Sequence, residues 1–212
     1  MNKEQLKEKY KDEKVLCVAN HDLKNLKNPN KNPIRVLMKA IKKHGYFDYR
    51  YNAEIDYSAK QVIPYVVLKC GDKYFVTKRL QGDSRLIGDM SIAVGGHVNP
   101  CDLVDETSLD YPKNVVDACM VRELFEETTI NFTNVCGKEY ITTFVDKSAD
   151  VSKVHVCLLI VVELKNEDIK IRETDKLEGV WLNQQEVMES FDKFENWSQI
   201  AIDLLKIGLN NE

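Results

Sequence analysis

The stretch from Val154 to Leu164 constrains the fold of this chain more than any other segment. It is apolar almost throughout, interrupted only by His155 and Glu163. A strand with one wet face alternates apolar and polar residues, so a continuous apolar run reads as a central strand covered on both faces. A chain built around such a strand needs layers on either side of its sheet. Val62-Ile63-Pro64-Tyr65-Val66-Val67-Leu68 and Tyr74-Phe75-Val76-Thr77 read as two more strands, with Cys70-Gly71-Asp72-Lys73 as a hairpin turn. Ser91-Ile92-Ala93-Val94 reads as a strand stopped by Gly95-Gly96, and Tyr140 to Val145 as another. Val180-Trp181-Leu182 begins a last extended element.

The flanks look helical. Residues 3–14 are dense in Lys and Glu and read as a solvated helix, and Val15 to Ala19 are a short apolar run that reads as a strand. Residues 34–43 place Val36, Leu37 and Ile41 on one helical face, with Gly45 as a C-cap. The chain ends in an amphipathic helix near Trp197 to Ile207. The expected class is α+β: an α/β/α sandwich with a mixed β-sheet. Residues 1–58 are expected to be an N-terminal extension packed on a core domain of residues 59–212.

Composition narrows the function classes. Hydrophobic residues make up 43%, enough for an ordinary core. No apolar run approaches the ~18 residues a membrane helix needs, and the polar start Met1-Asn2-Lys3-Glu4-Gln5 is unlike a signal peptide. A cytoplasmic location is expected. The formal net charge of −4 argues against a nucleic-acid polymer as partner, which wants a basic surface. The six cysteines, at 17, 70, 101, 119, 136 and 157, show no C-x-x-C spacing and read as buried free thiols.

One helix carries chemistry. Asn114 with Asp117 three residues later reads as its start, and Val115, Ala118, Cys119 and Leu124 as its inward face. Glu123 and Glu127 are one turn apart and Glu126 lies between them, so three carboxylates project to one side. Like charges at that spacing cost an isolated helix about 0.2–0.5 kcal/mol per pair. A divalent cation turns the cost into attraction, and Mg²⁺ or Mn²⁺ prefers such oxygens. Arg122 is placed to pair with Glu126 at i+4 and keep it ionised. The alternative reading is a solvated acidic face.

The string Arg122-Glu123-Leu124-Phe125-Glu126-Glu127-Thr128-Thr129-Ile130 resembles the core of the Nudix box, and Gly95-Gly96-His97-Val98 resembles its opening glycines. Leu177-Glu178-Gly179-Val180-Trp181-Leu182 is similar to the acidic-Trp segment after the last core strands. The resemblance covers about residues 60–207. Ile63-Pro64-Tyr65, the stretch Ser84 to Pro100 with Arg85-Leu86-Ile87-Gly88, and Trp197-Ser198-Gln199-Ile200 resemble a MutT-like phosphoesterase subgroup, less specifically. The departures are definite. The loop from Gly96 to Arg122 is 12 residues longer than the motif's. Counting back from Arg122, Asn114 falls where the motif has its first Glu and Ser108 where it has Gly, and Thr129 replaces the late Gly.

The resemblance implies a hydrolase that cleaves a diphosphate linkage in a nucleoside diphosphate derivative, with Mg²⁺ or Mn²⁺ as cofactor. Glu123 and Glu127 would be metal ligands, Glu126 a ligand or a metal-water contact, and the Gly95 carbonyl a further oxygen. Arg122 would be structural support within the catalytic group of Arg122, Glu126, Glu127 and Glu178. Glu178 and Glu173 are the candidate general bases, with Asp175 in the same region. Lys78 and Arg79 would meet substrate phosphate, or else serve as edge-strand charges. His97 reads as a hydrogen-bonded loop histidine and His155 as a satisfied core histidine. Trp181 and Trp197 read as core.

Partners implied are a small phosphorylated substrate and, at family level, a second copy in a homodimer, with no membrane. Two other readings stay open. One is a Nudix-fold binding or regulatory module without turnover. The other is an isoprenoid-diphosphate isomerase-like enzyme, because Ser91 to Val98 faintly resembles that branch, although no matching cysteine motif accompanies Cys101.

Overall fold

The computed structural model describes residues 2–80, 88–103, 110–146, 151–172, 174–175 and 177–208. Its helices and strands are, in order, α1 (Lys3–Tyr10), β1 (Lys14–Ala19), α2 (Pro33–His44), β2 (Tyr46–Tyr49), α3 (Arg50–Ala53), β3 (Ala59–Cys70), β4 (Lys73–Arg79), β5 (Met90–Ser91), β6 (Ala93–Gly95), α4 (Tyr111–Glu127), β7 (Val135–Phe144), β8 (His155–Leu164), β9 (Leu177–Asn183), α5 (Gln184–Glu189) and α6 (Asn196–Leu204). The chain divides into two compact units. The first comprises Met1–Tyr65, Gly95–Arg122 and Thr142–Leu159, and the second Val66–Val94, Glu123–Ile141 and Ile160–Glu212. Several elements, α4 among them, contribute residues to both.

In the first unit β1 is sandwiched between two antiparallel neighbours. It pairs with β2 from Lys14↔Tyr49 to Cys17↔Tyr46, and with β3 through Cys17↔Gln61 and Ala19↔Ala59. Val15, Leu16, Cys17 and Val18 are at most 1% exposed, so this early strand is core. Burial, helped by Asp48 and Asp56, pushes the Cys17 thiol up to about 12, and it stays protonated. α2 starts where Asn32 accepts a hydrogen bond from Arg35 N and Pro33 fills the first turn, where a missing N–H costs nothing. Its inward residues are Leu37, Ala40 and Ile41. Gly45 closes it in extended backbone, not the left-handed form, and a Cβ there would lie 2.6 Å from Ile41 O. The short β2 and α3 carry too few residues for a period to show, and the sequence does not announce them.

In the second unit β4 is the hub. It forms the expected hairpin with β3, turning at Gly71 with φ +60. All seven of its residues pair with β9, from Lys73↔Asn183 to Arg79↔Leu177. Thr77 and Lys78 also pair with Ser91 and Met90 of β5. Lys78 is therefore flanked on both sides, and the edge-strand reading of this charge does not hold. The expected strand at Ser91–Val94 breaks at Ile92, whose N–H donates to the buried Ser198 Oγ of α6 at 3.0 Å.

β8 is a strand covered on both faces over part of its length. Val156 to Ile160 are fully buried, as a strand covered on both faces requires. Past Val161 the pattern alternates, with Val162 and Leu164 buried and Glu163 exposed. All six cysteines are thiols outside any disulfide, but only Cys17, Cys119 and Cys157 are buried; Cys101 and Cys136 are exposed. Among the described residues no helix is long and apolar enough to cross a membrane.

Candidate functional site

α4 begins one turn earlier than Asn114 suggests. Lys113 N and Asn114 N both donate to Asp110 O at 2.9 Å, and Pro112 sits in the first turn. Asn114 is thus inside the helix and not its cap. Val115, Val116, Cys119 and Leu124 are fully buried, while Ala118 is only half-buried.

Within the first unit, Arg122 is the centre of a polar cluster. Its Nε donates to Asp102 Oδ1 at 2.9 Å and its Nη2 to Asp102 Oδ2 at 3.0 Å, a two-point carboxylate grip. Nη2 also donates to His97 O at 2.9 Å and Asn99 Oδ1 at 3.0 Å. Asp102 is 3% exposed and also accepts from Asn99 N at 2.8 Å. Asn99 Nδ2 in turn donates to Lys14 O at 2.8 Å. Asp102, 20 residues before Arg122, is a partner that the helix spacing does not point to. A signal was present: Asn99-Pro100-Cys101-Asp102 has the cap, proline and acid spacing of a helical turn, and forms one at Pro100–Asp102.

The last turn of α4, in the second unit, carries the three glutamates. Glu123 and Glu127 are half-buried and Glu126 is exposed, with the fully buried Leu124 between them. At ~100° per residue, Glu123 and Glu127 fall about 40° apart around the axis and Glu126 about 60° further. The helix then ends without the motif's glycine. Arg172 Nε donates to Phe125 O at 2.8 Å and Thr128 O at 2.7 Å, and Arg172 N donates to Glu127 O at 2.8 Å. Thr129 N donates to Lys170 O at 2.8 Å, and its Oγ1 accepts from Lys170 N at 2.9 Å. The terminal carbonyls that a glycine turn would satisfy are taken by this segment instead. Thr129 is outside the left-handed region, where Lys11 and Lys206 are the non-glycine residues among those described.

The remaining predicted residues separate by unit. Lys78 and Glu178 are cross-strand partners on β4 and β9, both exposed, with Arg79 next to them opposite Leu177. Asp175 is exposed in the turn before β9. Glu173, Ser84, Arg85, Leu86, Ile87 and Ser108 lie outside the described residues. Gly95 closes β6 in the first unit, where a Cβ would lie 3.0 Å from Tyr65 Cδ2 and 3.1 Å from Pro64 O. Trp181 is half-buried, donates from Nε1 to Glu167 O at 3.0 Å and packs against Phe75. Trp197 is half-buried.

His97 and His155 meet. Their Nε2 atoms are 3.2 Å apart, and Glu54 joins them so that one donor atom from each lies within 4.8 Å of the others. Burial holds the His97 imidazole well below its usual range, with Arg50, His155 and Arg122 adding to the effect. His97 is therefore neutral at pH 7. Nothing in the sequence joins these residues, because Glu54, His97 and His155 come from three separate segments.

The sequence profile of the NUDIX domain matches residues 62–205. Protein YmaB of Bacillus subtilis (strain 168) is 32% identical over 162 residues, covering 74% of this chain and 76% of that protein. The crystal structure of Tm1382, a candidate Nudix hydrolase, is similar with TM-score 0.74 at 26% identity, covering 92% of this chain and 99% of that one. The NUDIX domain of Shewanella oneidensis NrtR, solved with ADP ribose, matches with TM-score 0.50 at 16% identity over 69% of this chain and 86% of that one, a likeness of fold alone. The chain belongs to the Nudix family, and its α+β fold is the Nudix fold. The share left uncovered by Tm1382 is smaller than residues 1–58, so at least part of that stretch has a counterpart there.

Proposed function

We propose that this chain is a divalent-cation-dependent hydrolase of a diphosphate linkage in a nucleoside diphosphate derivative. The observation that carries the reading is the exposed or half-buried set Glu123, Glu126 and Glu127 on one turn of α4, anchored by the buried Leu124. An all-carboxylate donor set fits a hard cation, Mg²⁺ or Mn²⁺. Glu123 and Glu127 would hold it and Glu126 would hold it or one of its waters. When bound, the cation neutralises phosphate charge and lowers the pKa of a water for attack.

The chain's own residues supply the rest of the reading. Arg122 holds the helix to the segment from His97 to Asp102 by its grip on Asp102. Glu178 is the candidate proton acceptor, with Lys78 and Arg79 beside it as cations for substrate phosphate. A general base contributes typically 10²–10⁴-fold.

The test is turnover of a panel of ADP-ribose, NADH, dinucleoside polyphosphates, dNTPs and isoprenoid diphosphates with Mg²⁺ or Mn²⁺, products followed by chromatography. At least one nucleoside diphosphate derivative should be cleaved, and Glu127→Gln should lower kcat by about 10²-fold or more, the scale of losing an electrostatic stabiliser. Cleavage at full rate by Glu127→Gln would refute the assignment, and binding without turnover across the panel would refute the activity.

A further inference from the structure

We infer that Glu54, His97 and His155 form a second metal site, distinct in chemistry from the glutamates of α4 and suited to Zn²⁺ or a similar transition-metal ion. All three residues lie in the first unit, and each is carried by a different segment. Glu54 follows α3, His97 lies just past β6, and His155 opens β8.

The geometry is that of a chelating pair. Two imidazole nitrogens bound to one tetrahedral Zn²⁺ at ~2.0–2.1 Å sit about 3.4 Å apart. The Nε2 atoms of His97 and His155 are at 3.2 Å. The rings are near edge-on, with centroids 5.3 Å apart and planes 67° apart, so they converge at these nitrogens without stacking. A Glu54 carboxylate oxygen lies within 4.8 Å of both and is the third donor.

The surroundings support the same donor set. Arg50 Nε holds Glu54 Oε1 at 3.2 Å, leaving Oε2 as the second oxygen of the carboxylate, and Arg50 Nη1 is matched by both oxygens of Glu13 at 3.0 and 3.2 Å. Arg122 is matched by Asp102. The two arginines beside the cluster are thus each held by carboxylates, Arg50 by Glu13 and Glu54 and Arg122 by Asp102. A carboxylate held by such an outer partner is oriented for ligation, as metal ligands commonly are. Two imidazoles and one carboxylate leave a fourth position for water, and they favour Zn²⁺, Co²⁺ or Ni²⁺ over Mg²⁺.

The experiment is a Co²⁺ titration of the chelator-stripped full chain in excess Mg²⁺, read by visible absorption and followed by Zn²⁺ displacement. One equivalent of Co²⁺ should bind with d–d bands of a nitrogen-ligated site, and Zn²⁺ should remove them. His97→Gln and Glu54→Gln should each weaken Co²⁺ binding by about tenfold or more, on the scale of losing a ligand or its support. Glu127→Gln should leave the bands intact. Absence of any band, or bands kept in His97→Gln and lost in Glu127→Gln, would overturn the site. If the variants fail to fold, the ring ¹⁵N shifts of wild-type His97 and His155 decide: a Zn²⁺-induced shift of both Nε2 supports the site, and no shift of either overturns it.

Discussion

The last turn of α4 and the Glu54–His97–His155 cluster offer a cation two different environments. The first presents oxygens only, from Glu123, Glu126 and Glu127, with Glu126 open to water. The second presents two imidazole nitrogens and one carboxylate, with His155 5% exposed. Hard, well-hydrated ions that must also meet phosphate suit the first; borderline ions held mainly by the protein suit the second. The two also differ in origin. One is local, written in a spacing of three and four residues along a helix. The other is assembled from residues brought together only by folding. Arg122, one residue before the glutamates, donates to the carbonyl of His97.

The largest expected effect comes from cutting that connection. Arg122→Ala removes the guanidinium from the buried carboxylate of Asp102, and breaking a buried pair costs about 3–5 kcal/mol. Urea unfolding should report a loss of that order, accompanied by weaker Co²⁺ binding at the histidines. A loss below about 1 kcal/mol would mean that Asp102 and Asn99 hold the segment without it.

Glu178→Gln sharpens the reaction side. If Glu178 accepts the proton, kcat falls by about 10²-fold with KM little changed. A kcat within about threefold of wild type would reduce Glu178 to the cross-strand partner of Lys78. Either way Co²⁺ binding should stay unchanged, which separates the two regions.

The smallest effect is at the helix end. Arg172→Ala removes the side-chain donor to Phe125 O and Thr128 O, and should cost about 1 kcal/mol, its position being exposed. A thermal melt of the variant checks this. No change at all would show that Arg172 N, which donates to Glu127 O, suffices as the cap.

How much of this was legible follows from the same local and non-local divide. The apolar run at Val156 to Ile160 and the hairpin at Gly71 follow from period and turn chemistry, and both stand. The glutamate spacing on α4 was readable for the same reason. Asn114 carries a cap signal inside α4, and such a signal is indistinguishable in sequence from one at a helix end; Asp110 and Pro112 begin the helix. Thr129 departs from the motif's glycine, and Arg172 and Lys170, more than 40 residues on, satisfy the backbone there. Taken alone, His97 reads as a loop residue and His155 as a core residue. Their meeting depends on where β6 and β8 lead, which no spacing along the chain encodes.

On the proposed reading, the α4 glutamates hold the catalytic cation. Mn²⁺ binding measured by electron paramagnetic resonance, on wild type and on the Glu123→Gln/Glu127→Gln double variant with its melting curve as a fold check, tests it most directly. Mn²⁺ should bind to wild type and to His97→Gln, with a loss of about 10²-fold or more in affinity in the double variant, whose two charged ligands are gone. Equal Mn²⁺ affinity in the folded double variant and wild type would contradict it.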